Sequence, residues 1–240
     1  MTPAALIVAG GRGERLAATH PELPKPLLPV GGVPLLDRNL ARVAAAGIDD
    51  VWIAIGHRGS EIVAHLAARG GARAGRPAPR FIDERERPLG TIGALTAVPA
   101  GERAVLVVNA DLLSAIDLRA LLAVHARRAA ELTIATHHER HRLRLGEVVA
   151  DADGAVRGYL EKPVKEYRIS SGTYVVGPRV RALLAVGEPC GVPELVTRAV
   201  AAGCRVHAHD HGAPWLDVND AHDLAAAEAL LAQQEGAFAP

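Results

Sequence analysis

Short apolar runs alternate with longer helical patterns through the first half of the chain, and this alternation constrains the fold more than any other feature. The runs AALIVA (4–9), VWIAIG (51–56) and AVLVVNAD (104–111) are short, continuous and apolar, as in buried parallel strands. Segments 34–47 and 60–71 carry apolar residues at helical spacing, the second with Ser60 as its expected N-cap. Strands alternating with helices over short connections predict a parallel sheet covered on both faces.

The pattern changes after residue 130. Four strand-like segments follow, LTIATH, GEVVAD, GAVRGYLEKP and SGTYVVG, and the turn signal DADG (151–154) separates two of them. A helix, a strand and a final helix from Asn219 or Asp220 complete the chain, and GGARAGRPAP (70–79) is the one flexible-looking loop. We therefore expect an α/β fold: a Rossmann-like, doubly wound, mixed and mostly parallel sheet with a smaller β-rich lobe around 136–175, the two sharing a cleft.

Composition narrows the class of protein. The 240 residues are 49% hydrophobic, which suits one domain with a sizeable core. The 27 basic residues balance 27 acidic ones, which argues against broad nucleic-acid binding. Two cysteines make no disulfide framework, and no apolar run reaches the length of a membrane span. Because the start of the chain also lacks the features of a signal peptide, we expect a soluble, cytoplasmic protein, with homo-oligomerisation left open.

Two loops at the ends of the predicted strands are the first places to look for a site, because ligands of such sheets bind beyond the carboxyl ends of the strands. These loops contain GGRGER (10–15) and NAD (109–111). Glycines after a strand let backbone N–H groups approach a phosphate closely. The loop lacks the spacing of a dinucleotide fingerprint and the lysine of a Walker A loop, so by itself it fits a tight turn equally well.

Lys25 stands between two prolines, which predicts a stiff, non-helical segment that carries an ammonium group. Only three of the 27 basic residues are lysines, namely Lys25, Lys162 and Lys165. In so arginine-rich a chain, a retained lysine points to a need for a compact charge. Arg15 precedes Lys25 by ten residues, at the end of the glycine-rich loop.

The segment VAGGRGERL (8–16), followed by Pro-Lys-Pro, resembles the opening signature of the sugar-1-phosphate nucleotidylyltransferases, also called nucleoside-diphosphate-sugar pyrophosphorylases. The nearest resemblance is to the small mannose- or heptose-1-phosphate guanylyltransferases. Five later segments resemble the family in the same order: PLGTIGAL (88–95), VNAD (108–111), LGEVV (145–149), EKP (161–163) and WLDVNDAHDL (215–224). Two positions depart from the family pattern, Glu14 in place of a common threonine and Ser170-Ser171 in place of the asparagine of Asn-x-Gly.

The resemblance implies a role for each matching residue. Arg15 and Lys25 would act on the phosphates in catalysis, and Asp111 and Asp217 would hold Mg²⁺, with Asn219 an open third candidate. The implied nucleotide-binding residues are Ala9, Gly10, Gly11, Gly13, Glu86, Gly90 and Thr91. The implied sugar-phosphate residues are Asn109, Gly146, Glu161, Lys162 and Ser171. In a single nucleotidyltransferase domain, 1–135 would mainly bind nucleotide, 136–218 mainly sugar phosphate, and 219–240 would form a closing helix and tail.

The implied reaction joins a sugar 1-phosphate to a nucleoside triphosphate and releases pyrophosphate. Relatives that use UTP or dTTP often bind the pyrimidine through a glutamine amide near the Leu-Gly-Thr segment. No glutamine lies near the matching loop DERERPLGT of this chain, so GTP is the favoured donor. Guanine offers N–H donors that need acceptors such as Glu84, Glu86 or backbone carbonyls. A uridylyl- or thymidylyltransferase is the alternative, and a non-catalytic sugar-nucleotide sensor is an alternative of another class.

Histidines form two further groups. His207, His209 and His211 alternate and would share one face of a strand, where an exposed surface is a better explanation than a metal site. The basic run THHERHRLR (136–144) either attracts an anionic substrate or forms a solvated loop or subunit contact.

Overall fold

The computed structural model describes residues 2–11, 13–17, 21–69 and 78–238, so most of the loop predicted at 70–79 lies outside the described residues. The strands, in chain order, are β1 (Ala4–Ala9), β2 (Pro29–Val30), β3 (Val33–Pro34), β4 (Val51–Ile55), β5 (Arg80–Asp83), β6 (Val105–Asn109), β7 (Leu112–Ser114), β8 (Leu132–Arg142), β9 (Glu147–Ala150), β10 (Val156–Leu160), β11 (Val164–Val176), β12 (Val206–Asp210) and β13 (Trp215–Asp217). The helices are α1 (Glu14–Ala17), α2 (Leu35–Ala45), α3 (Gly59–Ala68), α4 (Gly90–Gly93), α5 (Leu118–Arg127), α6 (Pro178–Arg181), α7 (Val192–Ala201) and α8 (Ala221–Gln233). None of these helices is long and apolar enough to cross a membrane.

Seven strands form the central sheet in the order β12-β8-β11-β6-β1-β4-β5. Parallel pairing joins β6, β1, β4 and β5, and it also joins β12 to β8. Strand β11 runs antiparallel to both of its neighbours, so the sheet is mixed and mostly parallel. The predicted α/β fold class is confirmed.

Two apolar cores cover the two faces of this sheet because side chains alternate along each strand. In β1, Leu6 belongs to one core and Ile7 to the other; in β6, Val107 and Val108 divide in the same way. All four side chains are fully buried. A strand that is buried on both faces requires a continuous apolar run. The apolar runs in the sequence predicted β1 and β6 for this reason.

A third core joins the carboxyl-end loops to the last helix. It contains Leu16, Leu28, Val30, Leu35, Leu113, Val218, Ala227, Leu231 and Phe238. The closing helix α8 is thereby packed against the segment that carries Lys25. Asp220 caps α8 by accepting a hydrogen bond from the Asp223 N–H at 2.9 Å, which resolves the choice between Asn219 and Asp220.

Strands β8 and β11 are long and extend beyond the central sheet into the smaller lobe. There β9 and β10 form a separate antiparallel pair, and the DADG turn closes it with a hydrogen bond from the Gly154 N–H to the Asp151 carbonyl. Two local expectations were wrong. Helix α3 begins at Gly59, after Arg58 in a left-handed conformation, so Ser60 lies inside the first turn. Lys25 opens a single 3₁₀ turn, Lys25–Leu27, where no helical turn was predicted.

The ends of β1 and β4 approach each other closely, and this contact tests the fold. A Cβ at Gly56 would overlap the Gly10 carbonyl, which is backbone and cannot move aside cheaply. We expect Gly56→Ala to lower the free energy of unfolding by about 1–3 kcal/mol, measured by urea denaturation. Gly158→Ala is the control, because its nearest neighbour would be Val149 Cβ at 4.0 Å. Equal stabilities of the two variants would contradict this packing.

Candidate functional site

A cavity of about 990 Å³ opens at the carboxyl ends of β1, β4 and β6. Strand β1 has β6 on one side and β4 on the other, so the chain connections from these strands leave in opposite directions. The cavity lies at this point, which is where sheets of this kind bind ligands. Both loops singled out in the sequence border it. Its lining residues are Val8, Gly10, Gly11, Gly56, His57, Arg58, Glu84, Arg85, Pro88, Gly90, Thr91, Asn109 and Asp111.

A smaller cavity of about 270 Å³ adjoins the first and shares Gly11, His57 and Arg58 with it. Gly13 and Lys25 line this second cavity. Gly13 has a φ of +59°, and a Cβ there would lie 3.0 Å from the Lys25 Cβ, so glycine is required on both counts. The glycine-rich loop and the lysine segment therefore pack together as one wall.

The Lys25 ammonium group is the centre of the charged part of the site. It donates to Asp111 Oδ2 at 2.6 Å and to Asn219 Oδ1 at 2.9 Å, and it lies 3.9 Å from Asp217 Oδ1. The lysine side chain is only 12% exposed. One part-buried cation thus bridges the loop after β6, the end of β13 and the residue that precedes the Asp220 cap of α8.

Backbone pairing brings the two aspartates together. Strand β13 pairs with β7 so that Asp217 lies opposite Leu112, the residue after Asp111. The Val218 N–H also donates to the Asp111 carbonyl at 3.1 Å. The predicted convergence of Asp111 and Asp217 in one cleft follows from this short sheet.

The oxygen atoms here fit a divalent cation. Asp111 Oδ1 and Asp217 Oδ1 are both buried and accept no hydrogen bond from the described residues. Burial, and next the negative charge of Asp111, raise the pKa of Asp217. Two carboxylates with uncommitted oxygens, beside an amide oxygen of Asn219, form the hard donor set that divalent cations such as magnesium take.

Glu84 supplies the other buried carboxylate of the large cavity. It is 5% exposed, and its Oε1 has no hydrogen-bond partner among the residues that the structure describes. Burial raises the pKa of Glu84 to about 7. Glu86, which was predicted to bind nucleotide, is exposed and is not among the described residues of the lining. The buried acceptor is Glu84 because it directly follows β5, with its N–H bonded to the Ile55 carbonyl at 2.8 Å.

The remaining predicted nucleotide and catalytic residues have different surroundings. Gly10, Gly11, Gly90 and Thr91 line the large cavity, whereas Ala9 is buried at the end of β1. Arg15 is exposed and lies outside the lining of both cavities as described. The pKa of Asp220 is lowered, first by the Asp223 N–H and also by the charges of His222 and Arg15.

Three basic side chains of the cavity were missed in the sequence: His57, Arg58 and Arg85. The guanidinium of Arg58 bonds to Glu61 and to the Pro21 and Glu22 carbonyls, so it ties α3 to the lysine segment. His57 and Arg58 follow β4, whose carboxyl end borders the same cleft. Asking which polar residues follow every parallel strand would have found them.

The predicted sugar-phosphate residues are not gathered in one place. Asn109 lines the large cavity, and its buried Oδ1 has no partner within the described chain. Glu161 and Lys162 form an exposed ion pair at 3.7 Å, outside the described lining. Gly146 lies against Tyr159 in the small lobe. Ser171 is fully buried with its hydroxyl bonded to two histidines, so it does not present that group to a sugar.

The metal alternative for the alternating histidines finds no support. Within the described chain, the one group of three or more histidine, cysteine or acidic side chains close enough to share a metal ion is Asp220, His222 and Asp223. His207, His209 and His211 therefore do not converge on a metal site.

Comparison with known proteins identifies relatives over most of the chain. A mannose-1-phosphate guanylyltransferase of Mycobacterium tuberculosis is 30% identical over 234 residues, which cover 95% of this chain and 64% of that protein. A mannose-1-phosphate guanylyltransferase catalytic subunit beta of Drosophila pseudoobscura pseudoobscura is 27% identical, over 92% of this chain and 60% of the relative. The chain thus spans somewhat under two thirds of the length of these relatives.

Two solved structures share the fold. One, from Bacillus anthracis, is described as a glucose-1-phosphate thymidylyltransferase in complex with a sucrose; its TM-score is 0.74 at 18% identity, over 95% of both chains. The other is HddC from Yersinia pseudotuberculosis complexed with GMP-PN, with a TM-score of 0.67 at 20% identity, over 95% of this chain and 99% of the other. Residues 4–234 match the family model described as nucleotidyl transferase, and the chain belongs to that family.

Proposed function

We propose that the protein transfers a nucleotidyl group from a nucleoside triphosphate to a sugar 1-phosphate, forming a nucleoside-diphosphate sugar and pyrophosphate. The observation that carries the proposal is the largely shielded Lys25 ammonium held between Asp111, Asn219 and Asp217 at the edge of a nucleotide-sized cavity. Relatives named mannose-1-phosphate guanylyltransferase support GTP and a mannose-type 1-phosphate as the substrates.

The chemistry needs charge neutralisation more than proton transfer. The attacking oxygen belongs to a phosphate that is already anionic, so no general base is required. Bound Mg²⁺, which Asp111 and Asp217 would hold, supplies neutralisation of the triphosphate charge. Lys25 places a partly buried positive charge beside those carboxylates, where it stabilises negative charge that develops on the α-phosphate. The backbone of Gly10 and Gly11 lines the same cavity and orients the triphosphate.

Glu84 supports guanine as the base. An ionised carboxylate accepts both the N1–H and the N2–H of guanine, and Glu84 has a buried, uncommitted oxygen in the cavity. Uracil and thymine offer one such donor, N3–H, so they leave an acceptor unpaired. An unpaired buried acceptor costs about 1–3 kcal/mol, which favours GTP over a pyrimidine triphosphate.

Lys25 is the first residue to test. We expect Lys25→Ala to lower kcat/KM by roughly two to four orders of magnitude, the effect of removing a charge contact to the transition state. Lys165→Ala is the matched control, because that lysine pairs with Glu147 in the small lobe. Initial-rate measurement of pyrophosphate release checks both variants. Full activity in a folded Lys25→Ala protein would rule out the role given to this lysine.

The same lysine competes with a metal ion for Asp111. In the absence of nucleotide, we expect Lys25→Met to bind Mn²⁺ roughly tenfold more tightly than the wild type, because a charge-assisted hydrogen bond of about 1.5–3 kcal/mol no longer has to be broken. Asp111→Asn should instead weaken binding. Titration calorimetry measures both affinities. Weaker Mn²⁺ binding by Lys25→Met would show that the two aspartates are not the metal site.

Base selection tests Glu84. We expect GTP to be preferred over UTP in kcat/KM by on the order of a hundredfold, and Glu84→Gln to narrow that preference by at least tenfold. Glu86→Gln is the control, since Glu86 is exposed.

The pKa of Glu84 is raised to about 7, so the carboxylate becomes an acceptor as pH rises. The preference should therefore increase from pH 6 to pH 8, and a preference for UTP or dTTP would refute the guanine assignment.

A further inference from the structure

We infer that His137, Ser171 and His211 form a buried hydrogen-bonded relay whose function is to position Trp215, and through it Asp217, for metal binding and nucleotidyl transfer. The three are positioning residues. The inference rests on the proposed function, since it assigns Asp217 to the metal site. These three residues form a polar cluster that has no role in the substrate binding proposed above.

The serine is the centre of the cluster. Ser171 is fully buried, and its Oγ lies 2.9 Å from His137 Nδ1 and 2.8 Å from His211 Nε2. Its backbone carbonyl accepts a hydrogen bond from Trp215 Nε1 at 2.8 Å. One residue therefore joins two imidazole rings through its side chain and an indole ring through its backbone.

The contacts specify one direction for the hydrogen bonds. The Ala213 N–H donates to His211 Nδ1 at 3.0 Å, so the neutral ring carries its proton on Nε2 and donates it to Ser171. The Ser171 hydroxyl then donates to His137 Nδ1, and His137 Nε2 donates to Glu139 Oε1 at 3.1 Å. Each donor in the chain meets an acceptor, which is the condition under which a buried polar network becomes rigid.

The charged and titratable groups around the relay keep His211 neutral. Burial is the first cause that lowers the pKa of His211 to about 4; the neighbouring imidazoles of His137 and His209 and the charge of Arg42 act in the same direction, against a smaller opposite effect of Asp210. The relay thus holds its direction at neutral pH.

Trp215 is held from two sides. The His137 ring lies 4.4 Å from the Trp215 ring, centroid to centroid, at an interplanar angle of 34°, while the indole N–H is bonded to Ser171. Trp215 and Asp217 belong to the same three-residue strand, β13. Because Asp217 is two residues from Trp215, the side chains share one face of that strand, and displacement of the indole moves the carboxylate.

The relay also reaches the opposite wall of the site. Gly172 follows Ser171 with a φ of +65°, and a Cβ there would lie 2.9 Å from Asn109 Nδ2. The relay therefore supports the segment against which the Asn109 amide rests. Backbone pairing already joins β8 to β11 and β12, so the fold does not depend on the relay for its sheet.

Ser171→Ala removes the hydroxyl with little change in volume. We expect it to weaken Mn²⁺ binding to the nucleotide-free protein about tenfold and to lower kcat by a similar factor, while KM for GTP stays within about twofold. Thr173→Val is the matched control: Thr173 is equally buried, two residues away, and its Oγ1 has no partner in the described residues. The control should match the wild type in both measurements.

His211 provides a second, independent pair of variants. His211→Gln keeps an amide N–H donor toward Ser171 and should stay within about threefold of wild-type Mn²⁺ affinity, whereas His211→Leu should lose about tenfold. If His211 had only a structural role, the two variants would show the same Mn²⁺ affinity at equal folded fractions. Circular dichroism measures the folded fraction. If Ser171→Ala does not fold, this pair decides the question.

The outcomes separate the relay from the proposed function. Wild-type Mn²⁺ affinity in both Ser171→Ala and His211→Leu overturns the relay, whatever the enzyme's activity. If the wild-type protein releases no pyrophosphate from any triphosphate and sugar 1-phosphate, the proposed function fails, but the Mn²⁺ affinities of the variants still test the positioning of Asp217.

Discussion

The ammonium group of Lys25 is the contact on which the site depends. It neutralises the two carboxylates of Asp111 and Asp217, which separate parts of the chain bring to the edge of the sheet, and it also donates to the amide oxygen of Asn219. Without a cation at this point, two partly buried negative charges would face each other, and burial already raises the pKa of Asp217. The third apolar core, which packs α8 against the lysine segment, keeps this cation in place.

The buried strands and the order of the site segments could be predicted from the sequence. Strands β1 and β6 are continuous apolar runs, and a strand covered on both faces has no other pattern. Lys25 and Asp111 could be found because each has a strong local signal: Lys25 stands between two prolines, and Asp111 follows the end of a central strand. Local signals of this kind do not depend on tertiary packing.

Other parts of the site could not be predicted because tertiary contacts decide them. Nothing in DERERPLGT distinguishes Glu84 from Glu86; the pairing of the sheet edge buries the first and exposes the second. Ser171 looked like a substitute for a sugar-binding asparagine, yet two distant histidines bind its hydroxyl. Arg58 required a left-handed backbone conformation that few non-glycine residues adopt.

The site has a nucleotide side, built on backbone and one buried carboxylate, and a side proposed for the metal, built on charge and a polar network behind it. Together the two sides would serve nucleotidyl transfer to a sugar phosphate. The most direct test is pyrophosphate release by the wild-type protein with Mg²⁺, GTP and mannose 1-phosphate, and with each substrate alone. We expect release that requires both substrates and stops with chelator. Release from GTP alone at the same rate, or activity that persists in chelator, would contradict this expectation.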